Sequence, residues 1–249
     1  MQDFFTALQF LTRIKIYNQT QWDEGTFARS VAYFPAVGLV IAAVLVAVYK
    51  LLVFLNCSSL LIAVLLIITE IIVTGGLLCD GFMDTADGVF SGRERERILE
   101  IMKDSCVGSN AVLAFVSLVL LKLAVYLELN SEQLTLALYA MPIITRTLMV
   151  YNIRCYSYAR KSGIGGMFAS ADKKIVLISS TLLGLALLAP TQSLSLFIAL
   201  VLTIAYNFWA ANYLKRILHG LTGDTYGALA ESGNVFFLLS LSIVLNLIK

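Results

Sequence analysis

"VAYFPAVGLVIAAVLVAVY", residues Val31 to Tyr49, contains no charged side chain. About 20 largely apolar residues carry a helix across the hydrocarbon core of a bilayer, so this stretch reads as a membrane span. The same pattern recurs at residues 60–78, 109–127, 134–151, 175–189, 194–212 and 234–248, the fifth and seventh spans being short. Composition agrees. Of 249 residues, 59% are hydrophobic and 14% charged, with a mean hydropathy of +0.85, whereas a soluble domain has about 45–50% and about 25%. No alternating strand pattern is present, which argues against an outer-membrane barrel. The expected fold is all-α: a polytopic integral membrane protein of about seven transmembrane helices, forming one membrane-embedded domain over residues 1–249.

The opening "MQDFFTALQFLTRIKIYNQTQWDE" lacks the basic n-region and long apolar core of a signal peptide. Phe4, Leu8 and Leu11 recur at i, i+4 and i+7, with Arg13 and Lys15 following. That pattern predicts an amphipathic helix lying on the membrane surface; the alternative is a helix packed on the rest of the protein. Arg13, Lys15, Arg29, Arg93, Arg95, Arg97, Lys103, Arg154, Arg160, Lys161, Lys173, Lys174, Lys215 and Arg216 fall in one set of loops, and only Lys50 and Lys249 in the other. Short loops rich in lysine and arginine stay in the cytoplasm, so the first set is expected inside, with the amino terminus inside and the carboxyl terminus outside.

A net charge of +2 with scattered basic residues gives no footprint for nucleic acid. Cys57, Cys79, Cys106 and Cys155 have no C-x-x-C spacing, and His219 is the lone histidine, to which we assign no role. Neither a disulfide framework nor a zinc site is indicated. Any metal must be held by oxygen.

"CDGFMDTADG", Cys79–Gly88, supplies that oxygen. Asp80, Asp84 and Asp87 share a face of about 60° on a helix, at the expected cytoplasmic mouth of the second span. Three carboxylates so close repel one another unless a cation neutralises them, and hard ligands favour magnesium, manganese or calcium. The alternative is a solvated polar loop paired with "RERERI" downstream. Asp104, expected at the start of the third span, is placed to close the site from the opposite helix. Asp224 and Glu231, spaced i, i+7 at the inner end of the last span, form a second acidic face. Glu70, Lys122 and Arg146 lie inside spans, where ionisable groups pair with one another or serve function. Lys122 and Arg146 are candidates to bind a diphosphate and Glu70 to pair with either of them, with mutual structural pairing as the alternative. "ARKSGIGGMF", 159–168, offers Arg160 and Lys161 beside a glycine-rich turn that suits phosphate or is a plain loop.

Taken in order, "FFTALQFLTRI", "YFPAVGLVI", "TGGLLCDGFMDTADGVFSG", "LEIMKDSCVGSNAVLA", "YARKSGIGGMF" and "GLTGDTYGALAE" resemble the blocks of the cobalamin synthase (adenosylcobinamide-GDP ribazoletransferase) family, from residue 4 to about residue 231. The resemblance implies a magnesium-dependent transferase of the bacterial inner membrane. It would join adenosylcobinamide-GDP to α-ribazole, or to α-ribazole 5'-phosphate, and release GMP. On that reading Asp80, Asp84, Asp87 and Asp104 surround the metal, and one carboxylate, Asp104 or else Asp84, takes the proton of the attacking hydroxyl. Glu70, Lys122, Arg146, Arg160, Asp224 and Glu231 are the expected substrate-binding residues. Two positions depart from the family pattern: Leu78 where a histidine is usual, and Cys106 where a basic residue is common. The rival enzyme is a CDP-alcohol phosphotransferase acting on lipid, whose similar aspartate motif carries an Ala-Arg pair absent here. A cation-coupled transporter is a third reading, disfavoured because the carboxylates crowd one membrane face and no internal repeat is evident.

Overall fold

The structure, a computed structural model, describes residues 2–16, 24–160, 173–191 and 193–248. Two short helices, α1 (Gln2–Leu11) and α2 (Glu24–Ser30), lead through one 3-10 turn into α3 (Phe34–Phe54). There follow α4 (Ser59–Thr74), α5 (Leu77–Phe90), α6 (Arg95–Ile101) and α7 (Ser109–Glu128). The chain continues with α8 (Ser131–Cys155), α9 (Lys173–Leu188), α10 (Leu194–Leu218) and α11 (Gly223–Leu247). Among the described residues, 6 stretches are long and apolar enough to cross a membrane, and α4 together with α5 makes a bent seventh unit. The protein is a multi-pass helical membrane protein, as its composition requires.

Helices α8 and α11 form the centre and are the most enclosed of the spans. Helix α9 lies at the periphery and turns Ile175, Ile178, Leu182 and Leu185 outward. Apolar stripes of that size are not left bare in water; they are the surface a lipid-facing helix needs. At one end of the bundle Tyr49 Oη donates to Ser131 Oγ at 3.0 Å, tying the close of α3 to the start of α8. At the opposite end Arg154 Nη2 donates to the Ala28 carbonyl at 2.7 Å, and Arg13 lies against Gly75. The basic residues gather at this second end.

Helix α1 forms as the periodicity predicts, but its apolar stripe turns into the protein. Leu8 and Leu11 are buried against α2 and α3, while Phe4 remains half-buried. Arg29, paired with Asp3 at 3.3 Å, and the Arg13 amide, bonded to the Val73 carbonyl at 2.7 Å, fasten this segment down. Packing on the bundle is the alternative that the structure adopts.

Among the differences from the expected span boundaries, two have a clear local reason. The second span stops at Thr74 rather than residue 78, because Gly75 and Gly76 both take left-handed backbone (φ 65° and 70°) and turn the chain by 95°. Glycine adopts that region without a Cβ penalty. Leu77 and Leu78 therefore belong to α5, which leaves the line of α4 at the basic end of the bundle. The last helix begins at Gly223, well before residue 234, because Thr222 and Thr225 form a capping box there. Asp224 thus sits in its first turn, and Glu231 lies two turns inside.

Candidate active site

Helix α5 carries Asp80, Asp84 and Asp87 on one face and packs the other against α11. The two backbones touch. A Cβ on Gly81 would stand 2.7 Å from the Asp224 carbonyl oxygen, and one on Gly227 would stand 2.8 Å from that of Leu78. Only glycine permits this approach, and it brings Asp224 beside the acidic face. Arg160 completes the group: its Nη2 donates to Asp224 Oδ2 at 2.7 Å, and its buried Nε has no partner among the described residues. Asp87 lies against Gly108, the residue that caps the start of α7, where helix amide groups favour a negative charge.

The electrostatics follow from this crowding. Asp84 is pushed up to about 7, first by partial burial and then by the neighbouring Asp80 and Asp224, with Arg160 opposing and Asp87 adding to the rise. A carboxyl group raised by burial and by neighbouring carboxylates is a place where a cation would be stabilising. All the donors are hard oxygens, which fits magnesium. Among the described residues no three side chains converge into a ready ligand set.

Asp104 is placed differently from expectation. Helix α7 begins only at Ser109, so Asp104 sits on an exposed turn before it, where its Oδ1 accepts from the Cys106 amide at 3.0 Å. Hydrogen bonds from Cys106 hold its carboxyl below the usual range. Asp104 is not among the groups that act on Asp84.

Glu70, Lys122, Arg146 and Glu231 meet one another rather than the acidic face. Lys122 Nζ donates to Glu70 Oε2 at 2.9 Å and to Glu231 Oε2 at 3.0 Å. Asn234 Nδ2 donates to Glu70 Oε1 at 3.1 Å, and Thr145 Oγ1 donates to Asn234 Oδ1 at 2.8 Å. Arg146 donates through Nη1 to Thr145 Oγ1 at 3.1 Å and is fully enclosed. Two carboxylates offset two cations in the interior, which is how a low-dielectric medium tolerates charge. Asp224 and Glu231, expected as a pair, are divided between the two groups, because two helical turns separate them by about 10 Å along the axis. Their place inside apolar spans flagged Glu70, Lys122 and Arg146, and spacing flagged Glu231; Asn234 and Thr145 carried no such signal.

A polar cavity of about 480 Å³ opens between the amino-terminal segment and the α4–α5 bend, lined by Thr12, Arg13, Thr74, Gly75, Gly76 and Asp80 among others. It lies beside the acidic face and gives a polar substrate a way to it. By contrast, the crevice between α8, α9 and α10 is apolar, lined by residues such as Leu148, Leu185 and Ile204, and holds none of the candidate residues. Lys161 and the glycine-rich turn after it lie outside the described residues.

Comparison with known proteins agrees with this geometry. The family model described as cobalamin-5-phosphate synthase matches residues 3–242. A protein of Alkaliphilus metalliredigens named adenosylcobinamide-GDP ribazoletransferase is 39% identical over 98% of this chain and 96% of its own length. Proteins of the same name from Clostridium novyi and Escherichia coli K12 are 34% and 33% identical, over 97% and 96% of this chain and 96% and 98% of their own lengths. No solved structure matches the chain. With nearly its whole length matched, and with the acidic helix, Arg160 and Asp224 brought together at one end of a helical bundle, the chain belongs to the cobalamin-5-phosphate synthase family.

Proposed function

We propose that this protein joins adenosylcobinamide-GDP to α-ribazole, or to its 5'-phosphate, with release of GMP, at the acidic face of α5. The observation that carries this reading is the backbone contact of α5 with α11, which sets Asp80 and Asp84 beside the Arg160–Asp224 pair. The 3'-hydroxyl of the ribazole attacks the phosphorus on the cobinamide side. The bond from that phosphorus to the GMP oxygen breaks, its electron pair leaves with GMP, and the hydroxyl proton passes to a carboxylate. Asp84 suits this task better than Asp104. A base works best when its pKa lies near the working pH, and Asp84 stands at about 7 while Asp104 is held low on an exposed turn. Asp80 and Asp87, one turn to either side, are the residues to hold magnesium, which when bound neutralises the diphosphate and the charge on departing GMP. Arg160, with a buried donor to spare, orients the diphosphate.

The site lies at the basic end of the bundle, so the positive-inside rule makes it cytoplasmic, in the inner membrane of a bacterium. The decisive experiment incubates purified protein with adenosylcobinamide-GDP and α-ribazole, with and without magnesium. GMP released only with all components present supports the reading. CMP released from a CDP-alcohol instead, with no corrinoid product, refutes it.

A further inference from the structure

Arg95 lies in "RERERI", a run whose alternating charges read as a solvated helical face, yet its guanidinium is aimed inward. Nε donates to the Leu218 carbonyl at 2.8 Å, Nη2 to the Ala159 carbonyl at 3.0 Å, and Nη1 to Glu96 at 3.1 Å. Leu218 ends α10, and Ala159 immediately precedes Arg160. One planar cation thus clamps two segments that are distant in sequence. The segments are also stitched to each other: the Leu221 amide donates to Ser157 at 2.9 Å, and the Ala159 amide donates to Leu221 at 2.8 Å. One segment ends in Arg160; the other runs through Thr222 into Asp224. Beneath the clamp, Ile98 and Met102 pack on Leu218, and both press on Gly88 of the acidic helix.

We propose that Arg95 is a positioning residue for the transfer reaction: it fixes the Arg160–Asp224 pair at its distance from the acidic face of α5, and so determines whether Arg160 can engage the diphosphate. The idea rests on the proposed role of Arg160. Arg95 touches no substrate; it acts through two backbone carbonyls. A guanidinium fork reaches both at once, and a lysine ammonium cannot. Loss of the fork leaves the last carbonyl of α10 and the Ala159 carbonyl without their charged donor, and the Arg160 segment drifts.

The test uses full-length protein in bilayer discs and a cycle of Arg95→Gln, Arg160→Gln and the double variant, with both substrates varied. Arg95→Gln is expected to raise KM for adenosylcobinamide-GDP about tenfold, the effect of losing one charged hydrogen bond, and to leave KM for α-ribazole unchanged. Added to Arg160→Gln, it should cost nothing more, because both substitutions remove the same contact. A fall in kcat with both KM values unchanged, or costs that multiply in the double variant, would overturn the proposal, since a purely structural role behaves so. Normal kinetics in Arg160→Gln alone would instead overturn the reading of Arg160 itself. Should Arg95→Gln fail to accumulate, Arg95→Lys carries the same expectation, because it keeps the charge but not the fork.

Discussion

Substituting Gly81 by alanine tests whether the contact between α5 and α11 sets the site. The added methyl would stand 2.7 Å from the Asp224 oxygen and 2.9 Å from its Cα, where ordinary contact begins at 3.4 Å. Both are backbone atoms, so no side chain can rotate away; the helices must part by about 0.7 Å. Overpacking of this kind costs about 1–3 kcal/mol. Alanine returns about 1 kcal/mol through helix propensity, so the net loss of stability is small. Activity is far more sensitive, because a misplacement of about 1 Å at a reacting centre can cost about 100-fold. We expect kcat for GMP release to fall about 10- to 100-fold while the thermal midpoint barely moves. Gly223→Ala is the matched control: it precedes Asp224, and a Cβ there meets nothing within 4 Å. Normal turnover in Gly81→Ala, or equal damage in Gly223→Ala, would refute the claim that this contact positions the chemistry.

The raised value of Asp84, about 7, predicts that kcat/KM climbs with pH up to a limb near 7 and that the limb moves lower as magnesium rises, since a nearby cation favours the carboxylate. For stability the sign is opposite: the folded state binds the proton more tightly than the unfolded chain, so this group's contribution falls as pH rises from about 4 to about 7. Asp84→Asn should lower turnover at least about 100-fold, whereas Asp104→Asn, on its exposed turn, should change it less than about threefold; equal losses would return Asp104 to the role of base. Lys122→Met leaves an uncompensated carboxylate between buried Glu70 and Glu231 and should destabilise by about 3–5 kcal/mol, read as a lowered thermal midpoint; adding Glu70→Gln, which leaves Glu231 balanced by Arg146, should recover most of it.

The spans and the acidic face are legible in the sequence because both are periodic. A run of apolar side chains needs no partner to be recognised, and Asp80, Asp84 and Asp87 share a face by spacing alone. What joins distant segments has no local signature. Arg160 and Asp224 stand 64 positions apart, and Lys122 and Glu231 stand 109 apart. The i, i+7 spacing singled out Asp224 and Glu231, a place inside a span singled out Lys122, and the glycine-rich turn singled out Arg160, but none of these signals joins the two members of either pair. Arg95 was hidden for a different reason: its targets are backbone carbonyls 64 and 123 positions away, and a carbonyl looks the same at every residue. The bend was legible only in part. Two adjacent glycines permit a sharp turn, but hydropathy runs on through Leu77 and Leu78 and conceals it.

The division of charge between the two acidic groups is why the proposed function assigns the chemistry to one of them. Glu70 and Glu231 are answered within the protein by Lys122, with Arg146 restoring neutrality nearby. That interior group balances its own charge, although Arg146 Nε and Nη2 have no partner among the described residues, and its work is to hold α4, α7, α8 and α11 together just below the bend. Among the described residues Asp80, Asp84, Asp87 and Asp224 are ion-paired only through Arg160 to Asp224, at a solvent-reached mouth, and partial burial together with the excess of negative charge pushes Asp84 up to about 7. An interior that balances itself can be rigid; a rim that does not must draw a cation, and with the cation an anionic diphosphate. The Gly75–Gly76 turn fixes where α5 starts, the glycine contacts fix how it crosses α11, and the unbalanced rim supplies the attraction. Neutralising the rim by Asp→Asn should therefore weaken binding of magnesium and corrinoid-GDP together, whereas neutralising the interior should unsettle the fold before it alters affinity.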